Sequence, residues 1–364
     1  MKILIVADEW PWPPHQGDRV RLDAICRVLT VDHQATLLGR PSESGPKSGS
    51  KLQTVALEGQ RNPKLIFRYP NLPATMAVRA DRQVRETVAV LAAQHERVLF
   101  YQLKTTAWLD QRLYVNKTVI DLTDSLGLYY RRRGGALWTM EAFRALRQER
   151  ELAKNFPTVV SSEHDRDAID PTGEYNVTVA RNGYWMPDGL KRNPEPNSII
   201  SVGNWNYYPN RAGMDRFIQY VWPNIKRQRP EATLWIVGRG TSPLTFSVEG
   251  VHWKGEVDDL GSWYERAWLV VAPVYVGSGM KTKIMEALFY NVPVVASQFA
   301  TEGIEPNALL FPAADDQTFA KLVVKGLTQS IRWEEDLRND FLERNSWHST
   351  LRPLIDVIER GTKK

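Results

Sequence analysis

The sequence holds a single cysteine, Cys26, in 364 residues. That excludes an internal disulfide framework and a cysteine-built zinc site, and it fits a reducing compartment. Cys26 falls in the apolar stripe of a predicted helix, Asp18 to Leu29, and reads as buried filler rather than as a nucleophile. The six histidines show no HExxH or other ligand spacing, so no metal centre is expected. No stretch approaches the ~20 apolar residues of a membrane span. The opening Met1-Lys2-Ile3-Leu4-Ile5-Val6-Ala7 meets Asp8 and Glu9 too early for a secretory leader, and a cytoplasmic protein is expected. A Walker A loop, a GxGxxG fingerprint near the first strand and a nucleophile elbow around Ser278 are all missing, as are internal repeats and low-complexity tracts.

What is present describes an ordinary globular chain, with 43% apolar, 24% charged and 10% aromatic residues, and with thirteen Trp as the outlier. The length exceeds what one hydrophobic core usually organises, so two domains are expected. A net charge of +5 suits an anionic partner, whether nucleotide, lipid head group or nucleic acid, without choosing among them. Two arginine groups, Arg131-Arg132-Arg133 and Arg79, Arg82, Arg85, lie in the first half. The second group is predicted to share one helical face, either solvated or docked on an anionic membrane surface.

Short, non-alternating Val/Ile/Leu-rich runs predict strands at 2–7, 34–39, 52–57, 97–101, 118–122, 158–161 and 177–180, and again at 199–202, 233–237, 251–253, 269–272, 292–296 and 309–311. Such runs suit strands buried on both faces of a parallel sheet covered by helices, notably over 212–227, 260–267 and 282–289. Two consecutive doubly wound α/β domains are therefore expected, 1–186 and 187–344, joined through the Pro- and Asn-rich stretch 187–196. A terminal helix within about 345–364 would pack on one of them. Glycines such as Gly203, Gly238 and Gly277 fall at strand ends, where open α/β sheets bind ligands.

The segment Gly277-Ser278-Gly279-Met280-Lys281-Thr282-Lys283-Ile284-Met285-Glu286-Ala287 joins a glycine turn, two lysines and an acid at a helix start. Unpaired N–H groups and the positive dipole end favour phosphate oxygens there. Lys281 and Lys283 are mildly disfavoured by that dipole unless an anion lies between them. Glu286 suits the hydroxyls of a ribose, against the plainer role of offsetting the dipole. A second anion or sugar site is suggested by His15-Gln16-Gly17-Asp18-Arg19, after the first strand. Before it, Trp10-Pro11-Trp12-Pro13-Pro14 is suited either to stacking on a sugar face or to packing on its own domain. Asp121 and Asp124 flank the end of a strand, where a carboxylate could orient or deprotonate a hydroxyl; an N-cap by Asp124 or Ser125 is the alternative.

These residues resemble retaining glycosyltransferases of the GT-B fold, family 4. The resemblance rests on 277–288 with Asn291-Val292-Pro293-Val294-Val295-Ala296, and on Arg181-Asn182-Gly183, Ser201-Val202-Gly203-Asn204, Trp235-Ile236-Val237-Gly238 and Trp253-Lys254-Gly255-Glu256-Val257. Upstream, Asp121-Leu122-Thr123-Asp124-Ser125 with Tyr129-Tyr130-Arg131 looks like a bacterial branch tied to surface polysaccharide assembly. The resemblance implies two Rossmann-like domains facing across a cleft, with a nucleotide-sugar donor held by the second and an acceptor by the first. The acceptor would be a glycan, a glycolipid or another hydroxyl compound, and no metal or other cofactor would take part. Glu286 would take the ribose, Gly279, Met280, Lys281 and Thr282 the diphosphate or sugar, Lys254 to Val257 the base, and Gly17 the diphosphate from the first domain. Asp124 falls roughly where relatives place a histidine or aspartate by the sugar.

Two departures stand out. Many members carry a Glu where Ser278 stands, and most carry an Arg/Lys pair after the strand ending at Gly203, where this chain has Asn204 and Asn210. Arg211, Arg239, Lys281 or Lys283 could replace that charge. A non-catalytic nucleotide-sugar binder of the same fold is the first alternative to a transferase. A nucleic-acid-binding protein is the second, but the chain has no reader motif. A peripheral contact of the first domain with the inner face of an anionic membrane completes the expectation.

Overall fold

The computed structural model describes residues 1–14, 17–42, 44–45, 51–58, 61–110, 115–187, 189–242, 247–276, 282–329 and 334–361. It divides into two compact units, one of Met1–Asn182 with Trp347–Lys364 and one of Gly183–Ser346.

The first unit is built on seven parallel strands, β1 (Lys2–Glu9), β2 (Gln34–Arg40), β3 (Leu52–Ala56), β4 (Arg97–Tyr101), β5 (Thr118–Thr123), β6 (Thr158–Val160) and β7 (Val177–Val179), in the order β3-β2-β1-β4-β5-β6-β7. Winding reverses between β1 and β4, and this switch point opens a crevice at the strand ends. Ile3 through Ala7 are fully buried, which is why the run is apolar at every position rather than at alternate ones. The helix Gly17–Asp32 covers the sheet with Leu22, Ile25, Cys26 and Leu29. Burial, reinforced by nearby Asp23, pushes the Cys26 thiol far up, so it is a packed apolar group. Arg21 of the same helix is fully buried and donates to Asp121 at 2.9 Å and to the Ala180 carbonyl and Asn182 Oδ1. At the carboxyl terminus Leu351, Leu354, Ile355 and Ile358 are buried in this unit, and Arg97 donates to the Ile358 carbonyl at 2.8 Å.

The second unit has six parallel strands, β8 (Ser198–Val202), β9 (Thr233–Val237), β10 (Val251–Gly255), β11 (Leu269–Ala272), β12 (Val294–Ser297) and β13 (Leu310–Ala313), in the order β10-β9-β8-β11-β12-β13. Its switch point lies between β8 and β11. The expected helix 212–227 is a longer run from Tyr208 to Gln228 with a π turn at Phe217–Val221. Pro223 lies just beyond that turn. It has no N–H for the ladder, and its ring displaces the carbonyl four residues back, so a widened turn is a natural accommodation.

Two expectations are corrected, on the arginine face and on the linker, and one open choice, that of the Trp10–Pro14 loop, is decided. Arg79, Arg82 and Arg85 share no helical face, because Asp81 caps the helix Arg82–Ala93 through Gln83 N and Val84 N and so starts it after Arg79. Arg79 is buried against Asp8, Arg82 is exposed, and Arg85 donates to the Ala107 carbonyl. The stretch 187–196 is not where the chain changes unit. Its Asn193 and Glu195 N–H groups donate to the carbonyls of Glu265 and Arg266, and Arg192 donates to those of Asn291 and Ala267, all in the second unit. Composition reads it as a linker, but its polar groups find partners along the second unit. The loop Trp10–Pro14 packs on its own unit: Trp12 is buried and its Nε1 donates to Asp23 Oδ1 at 2.8 Å.

Candidate functional site

In the second unit the loop after β8 and the helix Thr282–Phe289 after β11 meet at the switch point. Close backbone approach shapes this end of the sheet. A Cβ on Gly213 would lie 1.7 Å from the Pro273 carbonyl oxygen, so only glycine lets the helix beginning at Tyr208 lie against the turn after β11. Gly238 has φ +125°, and a Cβ there would lie 2.0 Å from the Gly203 carbonyl oxygen, which locks the β9 turn onto the β8 turn.

Across this platform Lys283 Nζ donates to Asn210 Oδ1 at 2.7 Å, and Asn210 Nδ2 donates to the Asn204 carbonyl at 2.9 Å. Lys283 thereby stands over Gly203, 3.3 Å from where its Cβ would be. Of the other cations named above, Arg211 donates to Thr241 Oγ1 at 3.2 Å, whereas Arg239 pairs with Glu256 at 3.0 Å. Lys254 is exposed at the end of β10, and Val257 packs partly buried on the core. Thr282 begins the helix, and Glu286 follows one turn later. The glycine loop itself, Gly277, Ser278, Gly279, Met280 and Lys281, lies outside the described residues.

Glu286 is oriented by a residue that sequence reading missed. The buried Tyr264 hydroxyl donates to Glu286 Oε2 at 2.8 Å, and its ring stacks on Tyr290 with centroids 5.2 Å apart. Burial raises the carboxyl pKa of Glu286, opposed by the Tyr264 hydrogen bond and by Lys283. The pairing spans 22 residues of sequence and had no local signal. The arrangement leaves Glu286 Oε1, a lysine and a helix start at one strand-end crevice, which can accept hydroxyl donors and an anion together.

The first unit holds Gly17 and Asp124. Gly17 opens the helix after β1, with no atom within 4 Å of a Cβ built on it. Asp124 follows β5 and accepts from Ser161 Oγ at 2.7 Å. Ser125, not Asp124, caps the helix Leu126–Arg133 by accepting from Leu128 N. Asp121 is buried in its pair with Arg21, so of the two aspartates Asp124 is the accessible one. Behind Ser125 lies a carboxylate that sequence reading also missed. Glu149 Oε1 accepts from Leu126 N at 2.7 Å and Gly127 N at 3.3 Å, and Oε2 accepts from Ser125 Oγ at 2.8 Å. Among the described residues no group of three or more His, Cys, Asp or Glu is arranged to hold a metal ion.

Residues 196–329 match the family model described as glycosyl transferases group 1. No curated protein matches the chain in sequence. Among solved structures the chain is similar to WaaG, a glycosyltransferase involved in lipopolysaccharide biosynthesis, at 14% identity over 98% of each chain with a TM-score of 0.62. It is similar to sucrose-phosphate synthase from Thermosynechococcus elongatus at 14% identity, over 99% of this chain and 98% of that one, with a TM-score of 0.70. HepE from Anabaena, solved in complex with UDP and glucose, is 14% identical over 99% of this chain and 98% of its own, with a TM-score of 0.62. At such identities the likeness is one of fold, and two parallel Rossmann-like sheets are what the three share with this chain. The chain has the GT-B fold, and its residues 196–329 are similar to the group 1 glycosyltransferases.

Proposed function

We propose that the protein transfers a sugar from a nucleoside diphosphate to an acceptor hydroxyl with retention and without a metal ion. The observation that carries this reading is the grouping of Glu286, Lys283 and the Thr282 helix start at the β8/β11 switch point. Glu286, held by Tyr264, accepts the ribose hydroxyls. Lys283 and the N–H groups at the helix start stabilise negative charge as the diphosphate departs, and Lys281, Arg211 and the glycine loop add to that stabilisation. The bond from the anomeric carbon to the diphosphate breaks and a bond to the acceptor oxygen forms on the same face. The acceptor proton passes to the departing phosphate oxygen. In the first unit Asp124 orients a hydroxyl of the acceptor.

A panel of UDP, GDP, TDP and CDP, each with its common sugars, tests this by thermal shift and by sugar release. One nucleotide should stabilise the chain by ~2.7 kcal/mol at about a hundred times its Kd, and its sugar conjugate should hydrolyse slowly. An unmoved melting temperature across the panel would overturn the reading. Stabilisation without hydrolysis or transfer would favour a nucleotide-sugar binder, the second reading that the neutral Ser278 supports.

The acceptor side fits a glycolipid or a surface glycan at the cytoplasmic face of a membrane. No helix of the described residues is long and apolar enough to cross one. The helix Ala136–Asn155 nevertheless exposes Leu137 (60%), Met140 (45%) and Phe143 (70%), with Arg147 and Arg150 exposed on the same helix and Arg131 to Arg133 ending the helix before it. An apolar ridge edged by arginines is complementary to an anionic bilayer, at ~1 kcal/mol per basic side chain near the surface. The full chain is expected to float with phosphatidylglycerol vesicles and not with phosphatidylcholine vesicles. The double variant Leu137→Ser, Phe143→Ser should stay in the pellet fraction with both.

A further inference from the structure

At the carboxyl end of β1, in the switch-point crevice of the first unit, cations from distant parts of the chain converge on few carboxylates. Asp8 is buried and pairs with Arg40, with Arg61 Nη2 at 2.9 Å and with Arg79 Nη2 at 2.7 Å. Glu9 pairs with the same Arg61 at 2.5 Å and with Arg19 at 3.2 Å. Lys104, in the turn after β4, stands 3.9 Å from Asp8 Oδ2, beyond hydrogen-bond reach, and donates no hydrogen bond among the described residues. Asp18 is the remaining anion that Lys104 senses. Among the described residues five cations therefore face three carboxylates, Asp8, Glu9 and Asp18.

The excess has physical signatures. Burial alone would raise the Asp8 carboxyl, yet the Arg79 hydrogen bond and the charges of Arg79, Lys104 and Arg40 bring it down to about 2. Arg79 Nε is buried without a partner among the described residues, so donors outnumber acceptors even inside the cluster. Such a surplus is costly in a folded chain unless an anion completes it. Arg61 is 46% exposed and Lys104 is 25% exposed, so both can reach a ligand in the crevice.

We propose that Lys104 and Arg61, backed by Arg19, bind a phosphate dianion at the end of β1, and that this phosphate belongs to the acceptor. A phosphate offers three strong acceptor oxygens, which suits an ammonium beside a planar guanidinium fork. The phosphate site stands on the geometry of the first unit alone, and only its assignment to an acceptor rests on the transferase reading.

Calorimetry on the full chain without nucleotide separates the two. Hexose 6-phosphate and inorganic phosphate should both bind, the hexose phosphate more tightly, and the unphosphorylated hexose should bind at least tenfold more weakly. Arg61→Gln with Lys104→Met should weaken hexose phosphate about tenfold or more, while leaving the thermal shift by nucleoside diphosphate unchanged. Glu9→Gln, which removes a carboxylate competing for Arg61 and Arg19, should tighten binding, a gain that no loss of folding can imitate. The site is overturned if neither phosphate compound binds, or if these variants leave the affinity unaltered. Equal affinity for hexose phosphate and inorganic phosphate overturns the acceptor assignment. A chain that binds hexose phosphate but no nucleotide keeps the site and refutes the transferase reading.

Discussion

Glu286→Gln is expected to lower kcat/KM for the nucleotide sugar by roughly 100-fold, the loss of ~2 to 4 kcal/mol in charge-assisted hydrogen bonds to the ribose. The amide keeps the shape of the carboxylate and can still accept from the Tyr264 hydroxyl, so the melting temperature without ligand should hardly change. Its NH2 group donates where the hydroxyls need an acceptor. Steady-state kinetics beside a thermal melt of the same preparation checks this, and full activity in the variant would remove Glu286 from the donor site. The pH dependence gives a second readout. Burial raises the Glu286 pKa, with Tyr264 and Lys283 opposing, so the acidic limb of kcat/KM should lie above the pH at which an ordinary carboxylate titrates. Tyr264→Phe removes the donor at 2.8 Å and should move that limb further up, with a smaller loss of rate at its upper plateau.

The second large effect concerns stability. Glu149 is fully buried, and burial raises its pKa from an ordinary 4.5 to about 7, with Ser125 Oγ and the N–H groups of Gly127 and Leu126 opposing. Asp165 accepts from Ser125 N at 2.9 Å, and burial together with the charge of Asp124 pushes its pKa up to about 6. Because both folded values lie above the unfolded ones, the folded chain holds protons that the unfolded chain releases. The contribution of Glu149 is fully present below about pH 4.5 and is lost as pH rises through about 7, by ~3 kcal/mol. The melting temperature of the first unit should therefore fall between pH 5 and pH 8, at ~2 to 4 °C per kcal/mol for a unit of this size. In Glu149→Gln, Oε1 still accepts from Leu126 and Gly127 while Nε2 donates to Ser125 Oγ, so most of that slope should vanish with the fold intact. Glu149→Ala leaves those buried donors unmatched and should cost about 3 to 5 kcal/mol at neutral pH. Calorimetric melts of the three proteins across this pH range check both statements. A slope unchanged in Glu149→Gln would assign the titration elsewhere.

The strands were the most legible part of the chain. Parallel strands covered on both faces are continuous apolar runs, and β4, β9 and β11 coincide with theirs end to end. Where an edge moved, backbone chemistry moved it. The run 292–296 became Val294–Ser297 because Pro293 lacks an N–H, and because Val292 N turns back to the Ala287 carbonyl to close the preceding helix. The arginines at 79, 82 and 85 show the opposite case. Their spacing is helical, but the Asp81 cap and the pull of Asp8 on Arg79 decided their placement.

The sequence by itself determined two doubly wound sheets and the residue types gathered at their strand ends, because apolar runs, glycines and proline act over a few neighbouring positions. Tertiary structure alone decided the pairings over long separations. Tyr264 meets Glu286, Glu149 meets Ser125, and Arg61, Arg79 and Lys104 meet at Asp8. Each of these is an interaction between charged or polar groups whose energy depends on distance and burial, and neither quantity exists until the sheets have brought separate segments to a common edge.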